Sequence, residues 1–169
     1  SCEIKKLGEP VYDSPVDFYE DKYSREKVFI DDNEKLYSIV ETSKVEKLKQ
    51  AGLEVPALEL AGVRKKLYFE PGNTKSAIVT CGGLCPGLNS VIRGIVIMNY
   101  YLYKNQINYG IKYGYAGLVK ELGHEVLVLT PEMVKDIHLE GGTILGTSRG
   151  PQDFEKMVDR LVELDVKIL

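Results

Sequence analysis

Ala77-Ile78-Val79-Thr80 is apolar and β-branched enough for a short buried strand, and it runs directly into Cys81-Gly82-Gly83-Leu84-Cys85-Pro86-Gly87-Leu88-Asn89. Three glycines and a proline between Cys81 and Gly87 mark a turn, and a helical pattern begins at about Asn89. From there Val91, Ile92, Ile95, Val96 and the stretch Asn99 to Leu102 cover the helix widely enough to imply burial on a sheet. Strand, glycine turn and buried helix in that order confine this part of the chain to an α/β architecture.

The same grammar continues downstream. Asn108 to Lys112 offers a second strand, and Val126 to Leu129 a third strand or a piece of β-ribbon. Thr130-Pro131-Glu132 reads as a helix start, with a cap, a proline in the first turn and an acid at the positive end of the dipole. Gly141-Gly142 would end that helix, Thr143-Ile144-Leu145 follows, and Pro151 opens a last helix. The expected fold is an α/β, Rossmann-like and mostly parallel sheet. Asp153 to Leu164 is amphipathic, and Val166 to Leu169 looks like the first half of a buried strand. Domains rarely stop inside a strand, so the sequence is expected to be one piece of a longer polypeptide. An N-terminal residue of Ser rather than Met suggests trimming there too.

Residues before Ser76 have another texture, charged, with scattered prolines (Pro10, Pro15, Pro56, Pro71) and weak periodicity. One helix stands out, with a capping box at Ser43-Lys44-Val45-Glu46, an apolar face of Val45, Leu48 and Ala51, and Gly52 as its stop. Val28-Phe29-Ile30 and Leu67-Tyr68-Phe69 are apolar enough to pack on something. The expected organisation is an N-terminal extension over 1–70, an ordered arm and not a core, followed by the α/β domain over 71–169.

Composition removes several function classes. The 169 residues, 44% hydrophobic and 28% charged, describe a globular, soluble chain. A net charge of -3 argues against a nucleic-acid partner, which needs a basic face. No apolar run approaches a membrane span. Cys2, Cys81 and Cys85 make no disulfide framework, and with only His124 and His138 to join them they make no metal site. They read as reduced thiols of a cytoplasmic protein.

In α/β sheets ligands lie outside the carboxyl ends of the strands, where both glycine-rich segments fall. In the first, glycines let the backbone approach a phosphate, and a helix N-terminus offers free N–H groups to the anion. The alternative is a tight turn that binds nothing. Gly82 and Gly87 have the spacing of a Walker loop, but Leu88-Asn89 stand where Lys-Ser/Thr is required, and no G-x-G-x-x-G occurs. The second segment runs from Gly141 to Asp153 and holds Arg149 between Gly146 and Gly150. Such an arginine reaches phosphate oxygens bidentately, unless it is a solvated surface residue.

Taken together, these motifs resemble the phosphofructokinase family. GG-x-x-PG-x-N is matched by Gly82 to Asn89, and the Ile-Arg pair of the next helix by Ile92-Arg93. G-x-x-x-GY-x-G-L is matched from Gly110 to Leu118, and GGT-x-LG-[ST]-[SA]-R from Gly141 to Arg149. Lys66 to Pro71 and the TP-x-x-V-x-x-IH stretch at Thr130 to His138 are similar to the long-chain branch of plants, trypanosomatids and some bacteria, which carries an N-terminal extension. The resemblance implies phosphoryl transfer from ATP, or alternatively pyrophosphate, to O1 of fructose 6-phosphate. A non-catalytic phosphate- or nucleotide-binding subunit on the same fold is the reading of another class. It implies that Gly83 lies against the donor phosphates, that Arg149 bridges donor and sugar phosphate, and that Gly150 and Tyr115 line the nucleotide site. Arg93 matches an effector position of the short bacterial enzymes and is left outside the site. Mg²⁺ ligands (a GGD motif after the strand at Val166) and the catalytic Asp are expected beyond this chain, and a homo-oligomer, dimer or tetramer, is implied.

Overall fold

The computed structural model describes residues 7–16 and 29–169; Cys2 and Val28 lie outside the described residues. The chain divides into two compact units, 1–68 and 69–169.

The first unit is built from short antiparallel pairs. Strand β1 (Tyr12–Asp13) pairs with β4 (Lys66–Leu67), and Lys66 Nζ lies 2.6 Å from Asp13 on the same rung. Strand β2 (Lys35–Tyr37) pairs with β3 (Ala57–Glu59), with helix α1 (Thr42–Gln50) between them. Arg64 staples the connection, donating to the carbonyls of Ile30, Asp31 and Leu60. Phe29 is buried and Leu67 half-buried, whereas α1 buries no residue. The expected capping box is not formed. Helix α1 begins at Thr42 after Glu41, and the Ser43 hydroxyl donates to the Glu41 carboxylate, 3.0 Å away, so it never turns to a backbone N–H. The stop is as expected: Gly52 takes a φ of 68 and donates to the Lys49 carbonyl.

The second unit centres on a sheet in which β5 (Ser76–Val79) pairs in parallel with β6 (Asn108–Ile111). Strand β7 (Val126–Val128) pairs antiparallel with β6, making the sheet mixed. On the free edge of β5, Ser76 bridges in parallel to Ile168. The expected last strand is therefore only begun there, and Ile168 is exposed, not buried. Alternation along β5 divides the core in two. Ile78 packs with Ile92 and Val96 of helix α2 (Leu88–Tyr101), together with Leu129, Val134, Ile137 and Leu145. Ala77 and Val79 pack with Ile111, Leu118, Val119 and with Met157 of helix α3 (Phe154–Glu163). Helix, sheet and helix thus form three layers, the arrangement of an α/β domain.

Sequence and structure differ most at Thr130. The Thr130 hydroxyl accepts the Met133 N–H as a cap should, but the helix does not propagate. A turn over Pro131–Val134 gives way to a 3₁₀ turn at Ile137–Leu139. Val134 and Ile137 are spaced by three, and both are buried in the α2 core. The Val134 N–H makes an i→i−4 bond to the Thr130 carbonyl, but the Lys135 N–H donates to Glu132, three residues back, and the α ladder is lost.

A polar cluster closes the other end of the sheet. The Ser76 hydroxyl donates to Asn108 Oδ1 (2.8 Å), and Asn99 Nδ2 donates to the same oxygen (2.7 Å). Asn108 Nδ2 donates to the Asn105 carbonyl, and Asn105 Oδ1 accepts the N–H of Gly72. Asn108 is fully buried, so each bond replaces one that water made in the unfolded chain.

Candidate functional site

At the carboxyl end of β5, the turn Cys81–Gly87 lies against the loop Thr143–Gly150, and hydrogen bonds hold the two in register. Thr80 Oγ1 donates to the Gly146 carbonyl at 2.7 Å and sits 3.1 Å from Thr143 Oγ1. With the Thr80 proton committed to Gly146, Thr143 is the donor of that second pair. The Gly82 N–H donates to the Ser148 carbonyl (3.3 Å), and Thr147 Oγ1 donates back to the Gly82 carbonyl (2.8 Å). Asn89, buried at the start of α2, donates to the Glu140 carbonyl and accepts the Ile144 N–H.

Backbone conformation shapes both loops. Gly82 has a φ of 87 and Gly146 a φ of 65, in the left-handed region that side chains rarely adopt. The result brings Arg149 to the first turn. A β-carbon placed on Gly83 would lie 3.7 Å from Arg149 Nη2, with no other atom within contact distance. Gly83 is not in the left-handed region, so its backbone does not demand glycine. What the missing side chain leaves is open room in front of a guanidinium.

Gly83, Arg149 and Gly150 are all exposed, and Arg149 forms no ion pair among the described residues. Helix α2 follows Gly87 with no side-chain cap and no acid in its first turn, leaving its positive end uncompensated. A mostly apolar cavity of about 310 Å³ opens beside the turn, bounded by Ile78, Leu88, Val91 and Ile95 with Thr80, Cys81, Gly83 and Thr147 at its polar edge. Tyr115 stands on the neighbouring 3₁₀ turn, Gly114–Leu118, and is exposed. Gly114 abuts both loops: a β-carbon there would come within 2.8 Å of Ser148 Oγ and 3.1 Å of Cys81 Sγ. The structure therefore brings Arg149 Nη2 to 3.7 Å from where a Gly83 β-carbon would lie, leaves open space at Gly150, and sets Tyr115 one residue beyond the contact with Gly114.

Sequence reasoning missed the hydroxyl ties that hold this arrangement, those of Thr80, Thr143 and Thr147. The density of hydroxyls between Thr143 and Ser148 was the available signal, since such side chains bond nearby backbone readily. Arg93 lies elsewhere, its Nε donating to the Lys135 carbonyl at 3.1 Å. Among the described residues no three His, Cys, Asp or Glu side chains gather to hold a metal ion. Among them, too, no helix is long and apolar enough to cross a membrane.

Comparison with known proteins gives this geometry its context. The family model for phosphofructokinase matches residues 75–169, which contain both loops. An ATP-dependent 6-phosphofructokinase of Entamoeba histolytica is 51% identical over 130 residues, 76% of this chain and 30% of that protein. One of Borreliella burgdorferi is 39% identical over 169 residues, 99% of this chain and 36% of that protein. The chain thus spans about a third of the length of these relatives. The crystal structure of Pichia pastoris phosphofructokinase in the T-state overlays with a TM-score of 0.50 at 20% identity, covering 98% of this chain and 18% of that one, a likeness of fold. With the glycine turn, the arginine loop and the sheet between them all inside the matched segment, the chain belongs to the phosphofructokinase family.

Proposed function

We propose that the complete protein transfers the terminal phosphoryl group of ATP to O1 of fructose 6-phosphate, and that this chain builds the donor end of the site. The observation that carries this reading is the approach of the Arg149 guanidinium to Gly83, 3.7 Å from where a side chain would begin. Phosphoryl transfer asks the protein chiefly for position and for fixed positive charge around the moving group. The Gly83 turn supplies room and backbone N–H groups for the donor phosphates, and the α2 N-terminus adds its dipole. Arg149 presents a planar fork whose attraction grows as charge spreads over the equatorial oxygens. Gly150 and Tyr115 extend the same surface towards the nucleotide. Mg²⁺, when bound, supplies charge neutralisation of the phosphates; among the described residues no three His, Cys, Asp or Glu side chains gather to hold it.

The names of the relatives favour ATP over pyrophosphate as donor. A homo-oligomer and a cytoplasmic location complete the reading, the latter in keeping with the free thiols of Cys81 and Cys85. The test is turnover of the complete protein with fructose 6-phosphate and Mg²⁺, using ATP and pyrophosphate in parallel and following fructose 1,6-bisphosphate. Turnover with ATP alone is expected. Turnover with pyrophosphate alone would reverse the donor, and turnover with neither would leave a phosphate-binding subunit.

A further inference from the structure

Tyr113 is an unspecified position of the Gly110–Leu118 motif, yet it is built into the arginine loop by both main chain and ring. Its φ of 60 and ψ of 43 lie in the left-handed region, which bulky residues rarely occupy. Its N–H donates to the Leu145 carbonyl at 2.7 Å. Its ring lies against Gly146, where a β-carbon would come within 2.9 Å of Cδ1 and 3.0 Å of Cε1. The ring is itself supported by His124, with centroids 4.9 Å apart, and by Lys112 Nζ at 5.7 Å from the ring centroid. Gly146 is thus fixed by a ring at its α-carbon and by the Thr80 hydroxyl at its carbonyl. Arg149 follows three residues later.

We propose that Tyr113 is a positioning residue for Arg149. By pressing on Gly146 it keeps the left-handed turn there and the Gly82–Ser148 hydrogen bond, and so holds the guanidinium in front of Gly83. The contacts come from ring carbons, so a phenyl ring would serve as well. The inference rests on the proposed role of Arg149 in transfer, and its test separates the two.

In the complete protein, Tyr113→Ala is expected to lower kcat about 10- to 100-fold, the scale of a misplaced catalytic group, with KM for ATP within about threefold. Tyr113→Phe should restore turnover. In an Arg149→Ala background, Tyr113→Ala should cause no further loss, because the group it positions is gone. Additive losses in the double variant, or a Tyr113→Phe as impaired as Tyr113→Ala, would overturn the proposal. Tyr113→Leu takes the place of Tyr113→Ala in every arm if the latter does not fold. Should the unmodified protein transfer no phosphoryl group, the proposed function fails, and positioning is read from hydrogen exchange at the Gly82 amide. Faster exchange in Tyr113→Ala than in wild type and Tyr113→Phe is expected, and equal rates would overturn it.

Discussion

On the proposed reading Gly83 leaves room for a donor phosphate, and that makes it separable from its neighbours. A valine there would fill the room before Arg149 without straining the backbone, since the nearest atom is Nη2 at 3.7 Å. Gly83→Val in the complete protein is therefore expected to cut donor turnover by about 100-fold or more, the scale of losing oriented charge stabilisation, with the melting temperature nearly unchanged. Normal turnover would reduce the turn to a structural one. Asn108 makes the opposite case. Asn108→Ala strips partners from Ser76, Asn99 and the Asn105 carbonyl in a fully buried place, and should cost about 2–4 kcal/mol in denaturant unfolding. A loss below 1 kcal/mol would mean that water replaces the amide. Glycine spacing and a lone arginine singled out the two loops that the structure brings together. Nothing local announced Asn108, whose partner Ser76 is 32 residues away, or Thr80, whose partner Gly146 is 66 away.

Helix α3 shows what an element reveals in advance and what it hides. Its amphipathic pattern was readable, and Asp153 caps it by accepting the N–H groups of Glu155 and Lys156. Its tether to the 3₁₀ turn Lys120–Leu122 was not readable, because it depends on which exposed charges meet. Lys156 pairs with Glu121 and Lys120 with Glu163, each at 2.7 Å. The bond from Lys156 holds the Glu121 carboxyl below its ordinary value, and those from Lys120 and then Arg160 do the same for Glu163. A carboxylate lowered by folding contributes stability above its unfolded value of 4.5 and loses it as pH falls through the folded value. Lys156 is raised by Glu121, so its share is complete below 10.5 and fades only as pH rises through the higher folded value. Melting of the complete protein should therefore fall on acidification below the unfolded glutamate value of 4.5. The fall should be shallower in a Glu121→Gln/Glu163→Gln variant and in high salt, since these pairs are exposed. Identical acid profiles for variant and wild type would remove the tether. At Thr130 the cap forms, but the backbone switches to bonds three residues back at Lys135 and no α-helix follows. At Ser43 the hydroxyl chose the Glu41 carboxylate over the backbone, a competition that propensity does not register.

At the scale of the whole molecule, the N-terminal unit exposes apolar side chains on its short sheet. Leu36 and Leu58 face each other across β2 and β3, and both are exposed, as is Val40. Deletion of residues 1–68 from the complete protein is expected to yield smaller assemblies or aggregation and a lower melting temperature. Light scattering after size exclusion decides it: an unchanged oligomer with an unchanged melting temperature makes the unit dispensable for assembly. The α/β class and the order of its parts were legible because strand, turn and helix periods are local, whereas the closure of one loop on the other needed the folded chain. That closure is tested most directly by the kinetics of Arg149→Ala in the complete protein with ATP and fructose 6-phosphate. Loss of a guanidinium that acts on developing charge should cost about 2–4 kcal/mol of transition-state stabilisation, a fall in kcat of about 30- to 900-fold, with KM for ATP changed less than about threefold. An unchanged kcat with a raised KM would contradict it and leave Arg149 a binding residue alone.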